Sequence, residues 1–332
     1  MKKLLFPIIL VLMIALTAAC GSKQEETTNN NAAATTNEAA ATTTNNAAAT
    51  NNEAAAPAEE TASGTITYES QTGPIEVPAN PTRIVALTNA PNILSLGGTV
   101  VGVDEWTNKN PLFTDKLSGI QVVSENDLEK ILELKPDLIV AGDYMKNLDK
   151  LGEIAPTVVY TWGKLDYLAQ QLEIGKLLNK EQEAQTWIDD FKQRAADAGK
   201  EIKAKIGENA TVSVFENDAK SFYVFGNNWA RGTEILYQAM GLQMPEKVKK
   251  DALGPGYYTL SNEVLKDYAG DYLVLSRSSA ADNSFMKTET WSNIPAVKNK
   301  HVIEIDTEAS TYSDPITLDY LLDIFKKGFL GE

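Results

Sequence analysis

The stretch EQEAQTWIDDFKQRAADAGKEIKAKI, residues 181–206, decides the fold. Ala184, Trp187, Ile188, Phe191, Ala195, Ala198, Ile202 and Ile206 recur in it at three- and four-residue steps, so they share one face of a single amphipathic helix. At about 1.5 Å per residue, its 26 positions extend roughly 39 Å, longer than one small lobe. On both sides of it the periodicity changes to short apolar strands alternating with helices.

Upstream, Arg83 to Leu87 is a strand entered from Pro81, a helix begins at Asn92 to Leu96, and Thr99 to Val103 is the next strand. Asn126 or Asp127 caps a helix to Leu134 that Lys135-Pro136 ends, and Asp137 to Ala141 is a buried strand followed by Gly142. Lys146 to Ile154 is a further helix and Thr157 to Tyr160 a further strand. Downstream the strands are Thr211 to Phe215, Ser221 to Phe225, Asp271 to Leu275 and His301 to Ile305. This order predicts two α/β lobes with Rossmann-like, parallel-rich sheets, residues 64–180 and 207–332, joined by the long helix.

The N-terminus reads as an address. Lys2 and Lys3 precede an apolar run from Leu4 to Leu16 that is short for a membrane span, and small residues lead to Cys20, the one cysteine in the chain. Leu16-Thr-Ala-Ala-Cys20 resembles a bacterial lipobox, with Thr17 where leucine is usual. The resemblance implies a signal peptide at 1–19 and a lipid on Cys20; an ordinary signal with a stray cysteine is the other reading. Residues 21–63 are nearly all Asn, Ala, Thr and Glu, which predicts a disordered tether reaching roughly 35 Å.

The net charge is -15. Removing Lys2 and Lys3 with the signal gives -17, and the six Glu and one Lys of the tether carry -5 of that, leaving -12 on the folded part. Such a balance disfavours nucleic acid and general polyanion binding.

Several segments carry a resemblance over essentially the whole chain: Asn80-Pro-Thr-Arg-Ile-Val, Glu129-Lys-Ile-Leu-Glu-Leu-Lys-Pro-Asp-Leu-Ile-Val, Ala155-Pro-Thr-Val-Val, Tyr268-Ala-Gly-Asp-Tyr and Trp291-Ser-Asn-Ile-Pro-Ala-Val-Lys. The chain resembles the class III substrate-binding proteins of iron-siderophore ABC importers, and among them the hydroxamate-binding lipoproteins of Gram-positive bacteria. The resemblance implies a monomer, lipid-anchored on the extracellular face, that captures an iron(III)-hydroxamate siderophore between its lobes and delivers it to the importer's membrane subunits. The iron is held by the siderophore, and no cofactor is implied beyond the lipid on Cys20.

Ligand specificity rests on Gly226-Asn-Asn-Trp-Ala-Arg-Gly-Thr-Glu, similar to the segment that supplies a Trp and an Arg to the iron centre, here Trp229 and Arg231. A ferric tris-hydroxamate is neutral overall but carries a rim of anionic oxygens, so one guanidinium can hydrogen-bond several of them while aromatic planes cover other faces. Tyr223, Trp162 and Trp106 align with further pocket aromatics, and core packing is the bland alternative for each. Where some relatives carry a pocket tryptophan this chain has Thr311, with Tyr312 beside it as the substitute cover. Glu129 and Glu263 match the glutamates that dock arginines of the permease.

Other classes lack their residues. His301 is the single histidine, too few for a free zinc or manganese site. A catecholate complex calls for clustered Lys and Arg; haem wants an axial His, Met, Tyr or Cys, of which Tyr and Met stay open, and cobalamin is a further alternative ligand. There is no nucleophile elbow, P-loop, HExxH, CxxC or three-glycine dinucleotide turn, which leaves a lipid-anchored hydrolase or an adhesive module as distant alternatives to a binding protein that is not an enzyme.

Overall fold

The computed structural model describes residues 64–217, 221–278 and 280–331. Cys20, the leader 1–19 and the segment up to residue 63 lie outside the described residues.

The described chain opens with a hairpin of β1 (Thr65–Ser70) and β2 (Gly73–Pro78). The first lobe follows as β3 (Ile84–Ala86), α1 (Ala90–Ser95), β4 (Val100–Val103), α2 (Glu105–Lys109), β5 (Gln121–Val122), α3 (Leu128–Glu133), β6 (Leu138–Gly142), α4 (Leu148–Gly152), β7 (Thr157–Tyr160) and α5 (Tyr167–Leu177). Strands β3 to β7 form one parallel sheet in the order β5-β4-β3-β6-β7. Both faces are covered, so the interior strand β6, Leu-Ile-Val-Ala-Gly, is buried at every position. Alternate side chains feed opposite cores: Ile84, Leu138 and Val140 join Ile93 and Ile174, while Val85, Ile139 and Ala141 join Ile131 and Leu151.

Helix α6 (Glu181–Ile206) crosses to the second lobe. There the order is β8 (Val212–Asn217), β9 (Phe222–Phe225), a π-helical segment Glu234–Ala239, α7 (Glu246–Ala252), β10 (Tyr257–Leu260), α8 (Leu265–Tyr268), β11 (Tyr272–Arg277), α9 (Glu289–Ser292), α10 (Pro295–Lys298), β12 (Val302–Asp306) and α11 (Pro315–Leu330). The sheet order is β10-β9-β8-β11-β12, with β8, β11 and β12 parallel and β9 antiparallel to both neighbours. Only residues 218–221 separate β8 from β9, too few for a crossover, so this pair runs antiparallel and the second sheet is mixed where the first is all parallel.

Helix α6 is shared by two cores: Ala184 packs in the first lobe, and Phe191, Ala195, Ala198 and Ile202 in the second. Close backbone approach makes this possible, because a Cβ on Gly199 would overlap the backbone of Met240. Asp319 of α11 then accepts from Trp187 Nε1 at 3.0 Å and from Arg194 Nη2 at 2.8 Å, fixing α11 along the spine. A second tie runs between the lobes at the far end of β12. Asn110 Nδ2 donates to the Glu308 carbonyl at 2.7 Å, and the Tyr312 hydroxyl pairs with Thr107 Oγ1 at 3.1 Å beside the Phe113 ring.

Gly199 gives the fold a test with opposed signs. In an exposed helix Gly→Ala stabilises by about 1 kcal/mol; here the added methyl pushes α6 off Met240, so Gly199→Ala is expected to destabilise by about 1 to 3 kcal/mol. The urea midpoint of the variant reads the sign directly.

Candidate functional site

A cavity of about 760 Å³ opens between the lobes. Its first-lobe wall is built from the C-terminal ends of parallel strands: Thr88 after β3, Asp104 after β4, Tyr144 after β6 and Trp162 after β7. Ligands of open α/β sheets bind at such ends, where loops diverge. The opposite wall is the turn after β9, the approach to β10, and residues 311–314.

The turn after β9 has an unusual backbone. Ala230, Arg231 and Gly232 are consecutive left-handed residues with φ of 56°, 54° and 75°. For the two that are not glycine this costs about 1 to 2 kcal/mol each, so the surroundings must enforce it. They do so through three successive N–H groups. Trp229 N–H donates to Thr233 Oγ1 at 3.0 Å, Ala230 N–H to Glu234 Oε1 at 3.0 Å, and Arg231 N–H to the Ser310 carbonyl at 2.9 Å. Gly232 has no room for a side chain against Phe325.

That turn aims Trp229 and Arg231 into the cavity. Trp229 lies against Gly256, where a Cβ would overlap its ring, with Tyr257 tilted beside it at 5.0 Å between centroids. Across the cleft Trp162 meets it edge-on at 5.4 Å. Arg231 is fixed by Glu216, which accepts from Nε at 2.7 Å and from Nη2 at 3.0 Å. The guanidinium also lies over the Phe225 ring at 5.3 Å. Two of its five N–H groups go to Glu216, and Nη1 has no hydrogen-bond partner among the described residues.

Five of the six ligand-site residues expected from the sequence line this one cavity: Trp229, Arg231, Trp162, Trp106 and Tyr312. Trp106 and Trp162 are 77% and 72% exposed, so they are rim residues and not core packing. Tyr223 stands one ring back, edge-on to Tyr257 at 5.8 Å. The Tyr312 hydroxyl is engaged by Thr107, another residue of the cavity wall, in the interlobe tie. Glu129 on α3 and Glu263 in the turn Asn262–Val264 are exposed, one on each lobe and away from the cavity wall. The Ser261 hydroxyl holds the Glu263 carboxyl below its ordinary range, so it is ionised at neutral pH.

Sequence reading passed over several residues. Tyr144 is a rim aromatic, 65% exposed, and Gln170 lines the cavity, its Nε2 buried and unpartnered among the described residues. Tyr167 packs edge-on to Phe191 of α6 and forms part of the floor. Arg231 is the one basic residue among the described lining residues, against Asp104, Glu234 and Asp314. No group of three or more His, Cys, Asp or Glu among the described residues is arranged to hold a bare metal ion.

Both buried acids of the wall titrate upward. Burial raises Glu234, opposed by the N–H of Ala230 and its own N–H. Burial likewise pushes Asp314, the N-cap of α11, up to about 6, opposed by the Thr317 hydroxyl and the N–H groups of Ile316 and Thr317.

The fold and cleft define a two-lobed ligand-binding protein with a helical spine and a preformed site. The chain belongs to the periplasmic binding protein family, whose sequence profile matches residues 84–309. It is 33% identical over 274 residues to the iron(3+)-hydroxamate-binding protein FhuD of Bacillus subtilis, covering 80% of this chain and 87% of that one. It is 34% identical over 267 residues to the iron(3+)-hydroxamate-binding protein YxeB of Bacillus subtilis, covering 78% and 83%. Among solved structures, Staphylococcus aureus FhuD2 with bound ferrioxamine B superposes with a TM-score of 0.72 at 34% identity, over 76% of this chain and 99% of that one.

Asp314 carries a pH prediction. Its folded pKa of about 6 lies above the ordinary 3.8, so the folded state holds the proton more tightly. That contribution to stability is fully present below the ordinary value and is lost as pH rises through about 6. Asp314→Asn keeps a capping oxygen and removes the buried charge. It is expected to gain about 1 to 3 kcal/mol at neutral pH and nothing near pH 4, read from thermal unfolding at the two pH values.

Proposed function

We propose that this chain captures an iron(III)-hydroxamate siderophore in the interlobe cleft and delivers it to the membrane subunits of an ABC importer. The observation that carries the reading is the Trp229–Arg231 turn, held in a costly backbone conformation so that one aromatic plane and one guanidinium face the same cavity. A ferric tris-hydroxamate is neutral, bulky and largely apolar outside its oxygen rim. The free N–H groups of Arg231 suit those oxygens, and Trp106, Tyr144, Trp162 and Trp229 suit the organic shell. The names of the two Bacillus relatives and the ferrioxamine bound to Staphylococcus aureus FhuD2 support the same ligand class.

In this reading residues 1–19 are a cleaved leader, 20–63 a lipidated Cys20 and tether, 64–180 and 207–332 the lobes, and 181–206 the spine. The lipid holds a monomer at the extracellular face of a Gram-positive cell membrane. Glu129 and Glu263, exposed on separate lobes, present paired acidic side chains to permease arginines, which fixes orientation more than it adds affinity. The chain binds and releases its ligand without chemical turnover.

Adding ferrichrome or ferrioxamine B to the purified protein is expected to quench tryptophan fluorescence, because Trp229, Trp162 and Trp106 would lie against the iron complex. A response to haem or cobalamin but to no hydroxamate would overturn the assignment. Arg231→Ala is expected to weaken hydroxamate binding by about 1 to 3 kcal/mol; unchanged affinity in a titration removes Arg231 from the site.

A further inference from the structure

We infer that Glu216 sets the charge class of the chelate that the cleft accepts, an inference that rests on the ligand assignment proposed above. Glu216 sits near the end of β8 and does not line the cavity. It touches the guanidinium from behind, through two hydrogen bonds of 2.7 and 3.0 Å. The pair is largely dry, with the Arg231 and Glu216 side chains 18% and 12% exposed. Glu216 also accepts from Ser276 Oγ at 2.7 Å, and Ser276 Oγ pairs with Thr307 Oγ1 at 2.9 Å. The carboxylate is therefore positioned by its own lobe, with no ligand needed to hold it.

A guanidinium in contact with a carboxylate is no longer a net charge. It is a dipole with its positive end toward the cavity, whose field falls off faster than that of a point charge. Near-field hydrogen bonding survives, because Nη1 keeps its donors. Longer-range attraction for an anion does not, and the described wall holds no second basic residue but three carboxylic acids, Asp104, Glu234 and Asp314. Glu216 thereby makes the site a donor of hydrogen bonds to a neutral complex while withholding the positive charge that a polyanionic chelate needs. Glu216 is a positioning and specificity-determining residue that acts through Arg231.

The test compares two probes on the full chain: ferrichrome, a neutral ferric tris-hydroxamate, and ferric enterobactin, a tris-catecholate trianion. Glu216→Gln is expected to raise the ratio of catecholate to hydroxamate affinity by about tenfold or more, since one negative charge is lost close to the ligand. Glu216→Asp, which keeps the charge with a shorter reach, is expected to leave that ratio at its wild-type value even where both affinities fall. A purely structural role would lower both affinities together and leave the ratio of Glu216→Gln unchanged, which overturns the inference. Should Glu216→Gln fail to fold, Arg231→Gln is expected to lower the ratio and the double variant Arg231→Gln/Glu216→Gln to restore it; a double variant that stays at the single-variant ratio also overturns it. Wild-type protein that binds no ferrichrome sinks the ligand assignment and this inference with it. Wild-type binding with an unresponsive ratio sinks this inference alone.

Discussion

Helix α6 is buried in two cores at once, and the cleft inherits its shape from that. Ala184 is enclosed with Ile174 and Leu177 of the first lobe, while Phe191 to Ile202 are enclosed with Val212, Val274 and Phe325 of the second. Swinging the lobes apart about this helix would strip one end of apolar cover at about 25 cal/mol per Å² exposed. The Tyr312–Thr107 and Asn110–Glu308 ties resist the same motion from another place. With lobe motion small, adjustment to a ligand falls to side chains. Trp106, Tyr144 and Trp162 are the aromatic side chains exposed at the rim.

The same helix supports the ligand-facing turn. Gly199 lets α6 close onto the Met240 backbone, which ends the π-helical segment Glu234–Ala239, whose Ile235 and Leu236 are core residues. Glu234 begins that segment and its carboxylate holds the Ala230 N–H. Burying Glu234 is unfavourable, as its upward titration records, and the left-handed Ala230 and Arg231 are unfavourable too. Both costs are met by the packing beneath them. A well-packed spine is what permits a strained, preorganised site above it.

Much of this was legible in the chain and some was not, for physical reasons. The three- and four-residue recurrence from Ala184 to Ile206 reads as one helix because nearly every turn meets a core. The runs at Leu138 and Thr157 read as buried strands because parallel sheets are covered on both faces. The reversal of β9 was hidden in a link of four residues. Trp229 and Arg231 were visible only through the resemblance, and Glu216 was not visible at all. It lies 15 residues before Arg231, and the β8–β9 hairpin and the turn after it fold them together, which no periodicity encodes. Gln170 and Tyr144 look like ordinary residues of a helix and a loop until the cleft gives them a common surface.

Charge acts at two ranges in this molecule. The folded part carries a net charge of about -12, which repels polyanions at distance, within the screening length of the medium. At contact range the cleft holds one guanidinium whose charge is already compensated by Glu216. A neutral chelate loses nothing to the first effect and needs only hydrogen bonds from the second. An anionic one is repelled by the body and finds no counter-charge in the site. Selectivity of this kind needs no snug shape, which fits a cleft of about 760 Å³ rimmed by exposed aromatics. Shape is left to the rim aromatics, and the choice of ligand charge to a pair that no ligand has to assemble.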